Sequence, residues 1–187
     1  MKNLFFTVLL SVFAATLFSS CQKAKNDTTE TNTGPTYYIK GKKDGTAFTY
    51  STNAEARITD FSSSAQTISL ALMANAKPNE SSLEGLALAI NFFNGAQPSV
   101  GTYSEDNSGI GYLAGGVYNP NSATIVWAAG IHHPTVKPLR IQILTQTNTE
   151  MTGTFEGAFY KQDNSIPEFY DDYTLFTEGE FKLPIKR

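Results

Sequence analysis

The sequence predicts an all-β domain: an antiparallel β-sandwich of about 8–10 strands, with a β-barrel as the alternative. Two observations lead to this prediction. Along residues 36–187, short segments of alternating apolar and polar residues are separated by turn-forming pairs such as Asp-Gly and Asn-Pro, at intervals of roughly 8–14 residues. No segment in this range has a convincing helical period, and short strands with regular turn signals are typical of antiparallel sheets.

The first two strands are predicted to form a hairpin. Residues 37–42 read as a strand, Asp44-Gly45 follows, and residues 47–50 return. An Asp-Gly pair is the strongest short-range hairpin signal. Farther along the chain, residues 66–74 alternate large apolar side chains with Thr, Ser and Ala, which predicts a strand with one buried face.

Residues 78–94 fit two structures. A capping-box pattern of Ser, Ser, Leu and Glu would open a helix, whereas the apolar residues that follow it alternate with a period of two. Gly85 would also lie in the first turn of that helix, and glycine lowers helical stability. We therefore predict a loop over residues 78–85 and a strand over residues 86–93.

The later strands contain glycines at informative places. In the strand at residues 112–118, Gly115-Gly116 indicates a bulge or a close backbone approach. Residues 151–160 form the clearest strand, with Met, Gly, Phe, Gly and Phe on one face, and the glycines leave room for rings from a facing sheet or for a barrel corner. Residues 175–185 close the domain. Short strands are also predicted at residues 101–103, 123–129 and 139–143.

The N terminus has the pattern of an export signal. Lys2 provides a positive charge, residues 4–18 are apolar apart from Thr and Ser, and the small residues Ser19 and Ser20 precede Cys21. An apolar run of about 15 residues spans roughly 22 Å as a helix, which is shorter than the ~30 Å core of a bilayer. We therefore predict a cleaved signal peptide and not a transmembrane helix.

The chain is predicted to have three parts: a signal peptide at residues 1–20, a cysteine with a flexible tether at residues 21–35, and a single all-β domain at residues 36–187. The tether is rich in Thr, Asn and charge and has no apolar run. Cys21 is the only cysteine, so no disulfide can stabilise the domain. The formal net charge is −3 and basic residues cluster only at residues 40–43, which argues against nucleic acid as a partner.

Residues 17–21, Leu-Phe-Ser-Ser-Cys, resemble a bacterial lipobox. The resemblance implies that the thiol of Cys21 carries a diacylglycerol, that the signal is cleaved before this residue, and that the new amine is acylated. Several acyl chains, at about 0.8 kcal/mol per buried methylene, anchor a protein stably to a membrane. Lipidation also explains a single thiol in an oxidising compartment, where an unpaired cysteine is unusual.

The lipobox, the Thr- and Asn-rich tether and the early Asp-Gly turn occur together with strand motifs at residues 101–103, 151–155 and 178–181. In this order they resemble small Bacteroidetes lipoproteins of unknown function. The resemblance implies an envelope lipoprotein with a β-sandwich-like domain and no assigned catalytic residues. Surface-exported lipoproteins of such bacteria often have an acidic cluster after the cysteine. Residues 22–27 contain two lysines and a single Asp, so we expect the periplasmic face of the outer membrane.

An acidic and aromatic cluster near the C terminus is the candidate ligand-binding site. Its carboxylates are Glu168, Asp171 and Asp172, and its aromatic members are Tyr170 and Tyr173. Paired carboxylates beside aromatic rings could bind or cleave a sugar. The alternative is a solvated surface loop whose rings anchor it to the domain.

Two further segments contain the residue types that bind metals. Residues 105–109, Glu-Asp-Asn-Ser-Gly, have the alternating oxygen ligands of calcium loops but lack their full spacing. His132 and His133 would point to opposite faces of a strand, so a solvated loop is a better interpretation than a shared zinc ion. We find no zinc, phosphate-binding or nucleophile motif, and we assign no metal and no cofactor.

The sequence therefore predicts a non-enzymatic, lipid-anchored domain that binds a protein or a glycan in the cell envelope. Two alternatives stay open. One is a small glycan-active enzyme that uses Glu168, Asp171 or Asp172, and the other is a purely structural envelope protein. A large exposed apolar patch would favour the structural protein, and a concave aromatic groove would favour glycan binding.

Overall fold

The computed structural model describes residues 36–61, 66–76, 84–107, 111–122, 124–130, 137–163 and 169–187. Within these ranges the chain forms eleven β-strands and one short 3₁₀ helix, and it has no α-helix. The prediction of an all-β fold is confirmed. None of the described segments is a helix with the length and hydropathy that crossing a membrane requires. The elements are β1 (Tyr38–Lys43), β2 (Thr46–Tyr50), β3 (Thr52–Asp60), β4 (Ile68–Asn75), β5 (Gly85–Phe92), β6 (Gly101–Ser104), the 3₁₀ helix (Glu105–Asn107), β7 (Tyr112–Asn119), β8 (Ile125–Ala129), β9 (Arg140–Gln146), β10 (Glu150–Asp163) and β11 (Phe169–Lys186).

The strands form one connected sheet in which the pairing of β11 with β10 closes a ring, and we describe this sheet as two layers. One layer has the order β2–β1–β11–β10–β9–β6, and the other has the order β3–β4–β5–β7–β8. The layers are joined at two corners, where β11 pairs with β3 and β10 pairs with β8. Among the described pairings only β3–β11 is parallel. The result is a sandwich-like ring of strands in a mixed sheet.

The turn between β1 and β2 is the predicted Asp44-Gly45 pair. Both residues have positive φ, 49° for Asp44 and 80° for Gly45, as a type I′ turn requires. The Asp44 carboxylate also accepts hydrogen bonds from the Leu175 main-chain N–H (2.7 Å) and the Thr174 hydroxyl (2.7 Å). The turn therefore fixes the hairpin to β11 as well as closing it.

The segment at residues 78–94, which fits a helix or a strand by sequence, forms strand β5 in its described part. β5 pairs with β4 and β7 along its whole length without a register shift. β4 and β5 lie inside the five-strand layer, and both faces of β4 are largely buried. The expectation of one exposed face on β4 is therefore wrong: Ser69 and Ala71 are buried as well as Leu70. β4 pairs with β3 on one side and β5 on the other, and strands inside a sheet whose two faces are both covered carry buried residues on both faces.

Aromatic rings fill the space between the layers. Phe176 of β11 is fully buried, and its ring centroid lies 4.9–6.3 Å from the centroids of four other rings, those of Phe48, Tyr118, Phe155 and Phe159. Tyr118 belongs to β7 in the opposite layer. Phe176 is therefore a contact point between the layers, and three of its four ring pairs have the edge-on geometry that aromatic pairs favour.

Glycines make room for these rings. The register of β7 is continuous, so the Gly-Gly pair marks a close approach and not a bulge: a Cβ atom on Gly116 would lie 2.8 Å from the Phe159 ring. Gly153 of β10 stands opposite Phe181 of β11, and a Cβ atom on Gly153 would overlap that ring. The predicted space beside Gly153 exists, but a ring from the adjacent strand occupies it.

Candidate functional site

The predicted acidic cluster lies at the far end of the β10–β11 hairpin. Tyr160 pairs with Tyr173 and Gln162 pairs with Phe169, so residues 170–172 of β11 stand opposite a single residue of β10. This irregularity is a β-bulge, which re-aims side chains where pairing is interrupted. The cluster is thus carried by an irregular strand and not by a loop alone.

The bulge exposes the part of the cluster that the structure describes. The side chains of Asp171 and Asp172 are exposed. Tyr173 is 45% exposed, and its ring centroid lies 5.9 Å from that of the buried Tyr160. Tyr173 therefore packs against the domain, as the alternative interpretation expects, while sugar binding by the cluster stays a prediction. Glu168 lies outside the described residues, and so does the side chain of Tyr170.

The metal-ligand candidates are only partly described. Glu105–Asn107 is the 3₁₀ helix between β6 and β7. The Glu105 carboxylate accepts a 3.0 Å hydrogen bond from the Leu139 main-chain N–H, and the Asp106 carboxylate accepts one from the Ser104 hydroxyl. Among the described residues, no group of three or more His, Cys, Asp or Glu side chains could hold a metal ion. The other candidates lie outside those residues: Cys21, His132, His133 and residues 108–109.

Four polar side chains meet where the β1–β2 hairpin contacts the five-strand layer; we call Lys43, Tyr50, Glu84 and Tyr118 the Glu84 cluster. Glu84 Oε1 accepts hydrogen bonds from the hydroxyl groups of Tyr50 (2.6 Å) and Tyr118 (2.9 Å). Lys43 Nζ lies 3.7 Å from the same oxygen and donates a 2.5 Å hydrogen bond to the Tyr118 hydroxyl. One carboxylate thus connects β1, β2 and β7.

The Glu84 cluster keeps its phenols neutral and its amine charged. Burial raises the pKa of Tyr50 above its usual value, and the hydrogen bond to Glu84 adds to this effect. Burial also raises the pKa of Tyr118, although Lys43 offsets part of the change. Burial alone would lower the pKa of Lys43, but Tyr118 and Glu84 outweigh it, so this pKa is raised. Such a cluster suits a structural link between the layers.

We expect the domain to lose stability in alkaline solution because of the Glu84 cluster. Unperturbed tyrosine and lysine side chains have pKa values of 10.0 and 10.5, whereas the folded state holds these protons to higher pH. Above about pH 10 the unfolded chain binds fewer protons than the folded chain, so the free energy of unfolding falls as pH rises. Urea unfolding of the wild type and Tyr50→Phe between about pH 8 and 11 would measure this slope.

The Tyr50→Phe variant should have the smaller slope above about pH 10. Tyr173→Phe is the matched control, because it removes an exposed hydroxyl outside the Glu84 cluster. Equal slopes in the two variants would contradict the prediction.

A cleft opens beyond the opposite end of β5; we call it the end cleft. Its lining comes from the ends of β3 and β9, the start of β4 and the segment that follows β5. It consists of two cavities of about 480 and 550 Å³, which share Pro98, Gln146 and Arg187 as lining residues. Its aliphatic wall includes Ile58 and Ile68. Loops at the end of a rigid sheet are a common place for binding sites.

Two polar groups of the end cleft lack partners within the described chain. The Oε1 atom of Gln146 is buried and accepts no hydrogen bond there. The Arg187 guanidinium forms no ion pair with another described residue. The side-chain amides of Gln97 and Asn148 also line the cleft. The end cleft therefore has both the space and the polar lining of a binding site.

Sequence reasoning identified neither the Glu84 cluster nor the end cleft. Their members come from distant parts of the chain, and no local motif relates Lys43 to Glu84 or Gln146 to Arg187. Comparison of the chain with protein-family models, with curated proteins and with solved structures found no match. Function is therefore inferred from the site geometry and from the N-terminal sequence.

Proposed function

We propose that this chain is a lipid-anchored lipoprotein of the cell envelope, whose β-domain binds a partner protein or glycan and catalyses no reaction. The position of Cys21 directly after an export-signal pattern carries the proposal. The sequence between this cysteine and the β-domain, at residues 22–35, is polar. Because residues 22–27 lack an acidic cluster, we place the protein at the periplasmic face of the outer membrane.

Binding is supported by the end cleft. Its cavities, about 480 and 550 Å³, fall within the roughly 300–1,000 Å³ typical of ligand pockets. The charged side chains of β1 and β11 pair with one another. Lys40 forms an ion pair of 2.9 Å with Glu180, and Lys42 forms one of 2.7 Å with Glu178. Exposed pairs of this kind contribute little to stability and suggest an ordinary solvated surface.

Replacing Cys21 by alanine is expected to release the protein from the membrane. Without the thiol there is no attachment point for the diacylglycerol, and the ~0.8 kcal/mol contributed by each buried methylene is lost. Membrane and soluble fractions of cells that express the full chain would be compared by immunoblot. Ser20→Ala is the matched control, since it keeps a small residue beside an intact cysteine. Membrane retention of Cys21→Ala equal to that of the control would overturn the anchor.

The membrane face and the partner are tested in the same cells. Protection of the protein from protease added to intact cells supports the periplasmic face, and digestion contradicts it, with a periplasmic protein as the control for leakage. Cross-linking in intact cells, followed by purification of the full chain, tests binding. A partner cross-linked to the wild type and missing from cells that lack the protein would support the binding function, and the absence of any cross-linked protein or glycan would contradict it.

A further inference from the structure

We propose that the end cleft binds the carboxyl-terminal end of a peptide with an aliphatic last residue. This inference rests on the binding function proposed above and specifies its ligand. Three features of the cleft support it: a cation that forms no ion pair with another described residue, side-chain amides, and an aliphatic wall. A peptide terminus supplies the complement of each, namely a carboxylate, a main-chain N–H and an apolar side chain.

The charge comes from Arg187, which lines both cavities. A guanidinium matches the geometry of a carboxylate and can bind it through two parallel hydrogen bonds. Asp60 lines the cavity of about 480 Å³ as well, so an inorganic anion would meet a carboxylate there. A peptide terminus differs from such an anion because it also brings N–H donors.

Side-chain amides supply the polar part of the lining, and Gln146 lines both cavities together with Arg187. A peptide carries an N–H group in its last residue, close to the terminal carboxylate. Gln97 and Asn148 add further side-chain amides to the lining, and amides pair with both groups of a peptide bond.

The aliphatic wall continues from inside the cleft to its rim. Ile58 and Ile68 line one cavity and Val100 lines the other. Gly101 of β6 stands opposite Ile143 of β9, which places Val100 next to Leu144. Val100 is 60% exposed and Leu144 is 47% exposed. Exposed aliphatic side chains at a cleft favour an apolar group in the ligand.

A sugar fits the end cleft less well than a peptide does. Sugar-binding surfaces commonly present aromatic rings to the sugar faces, and none of the described residues that line the two cavities is aromatic. Backbone amides and aliphatic side chains are the groups that this lining complements. The end cleft therefore favours a peptide over a glycan as the ligand of the domain.

The test uses two fluorescein-labelled peptides, Gly-Ala-Ala-Val with a free carboxylate and the same peptide as a carboxamide. Binding to the full chain in detergent is followed by fluorescence polarisation. We expect the free acid to bind at least about tenfold more tightly than the amide, because only the acid forms the charged pair with Arg187. Arg187→Gln should weaken binding of the acid to the level of the amide and leave the amide unchanged.

Matched variants separate these effects from loss of folding. Arg140→Gln removes an exposed arginine of β9 that does not line the cavities and should bind the acid like the wild type. Gln146→Leu should weaken both peptides, whereas Gln142→Leu, on the same strand, should weaken neither. Thermal unfolding followed by circular dichroism verifies that each variant is folded.

Equal binding of acid and amide, or no saturation by either peptide up to about 1 mM, would overturn the inference. So would an equal loss of affinity in Arg187→Gln and Arg140→Gln. These outcomes are distinct from failure of the proposed function. If cells still yield a cross-linked partner and Cys21→Ala still leaves the membrane, the binding lipoprotein stands and only its ligand class is wrong.

Discussion

Replacing Phe176 by alanine is expected to destabilise the domain by about 3–5 kcal/mol. The ring is fully buried and touches rings from both layers, including those of Tyr118 and Phe159. Its removal loses apolar burial and leaves a cavity lined by the rings of Phe48, Tyr118, Phe155 and Phe159. A typical domain has only about 5–15 kcal/mol of stability. The change is measured by urea unfolding of the full chain in detergent.

Phe61→Ala is the matched control for Phe176→Ala. Phe61 follows β3 and is 45% exposed, so its truncation should cost less than about 1 kcal/mol. A Phe176→Ala variant that unfolds at the same urea concentration as Phe61→Ala would contradict the assignment of Phe176 as the contact between the layers.

Replacing Gly153 by alanine is expected to destabilise the domain by about 3 kcal/mol or more, at or above the upper end of ordinary overpacking. The added Cβ would overlap the carbonyl oxygen of Gln142 on β9 and the ring of Phe181 on β11. A ring can rotate away, but a main-chain oxygen in a paired strand cannot move without breaking the pairing. Thermal and urea unfolding would measure the loss.

The control for Gly153→Ala is Thr154→Ala, which changes the next residue of β10, whose side chain points to the other face. It should cost less than about 1 kcal/mol. Adding Phe181→Leu to Gly153→Ala should recover part of the loss, because it removes the ring but not the carbonyl oxygen. Full recovery in the double variant would show that the main-chain overlap is unimportant.

The sequence predicts those parts of the fold that local chemistry determines. The Asp44-Gly45 turn forms as expected because few other pairs accept two consecutive positive φ angles. Phe181 and Leu183 face inward as their alternation with Glu and Lys indicates. The strand over residues 86–93 was also predicted within one residue at each end. Each of these features depends on neighbours in the sequence.

Features that depend on distant pairing could not be predicted. No pattern in β3 or β11 shows that Ala56 stands beside Ile185 in parallel, since alternation is the same for parallel and antiparallel neighbours. The role of the predicted acidic and aromatic site also depends on packing. A sequence of acids and tyrosines is the same whether a tyrosine ring binds sugar or packs against the domain, as the ring of Tyr173 does against Tyr160. Gln146 and Arg187 meet only because their strands end at the same place.

The position of β11 has a consequence for the biogenesis of the protein. This strand pairs with β1, β3 and β10, and it supplies the partner residues of β1 at 176–182. In a chain that is synthesised from its N terminus, β1 has only β2 beside it until these residues have been added. The ring therefore closes late, through contacts between residues far apart in sequence, and such contacts form slowly. Under the export proposed above, late closure would allow translocation to finish before folding does.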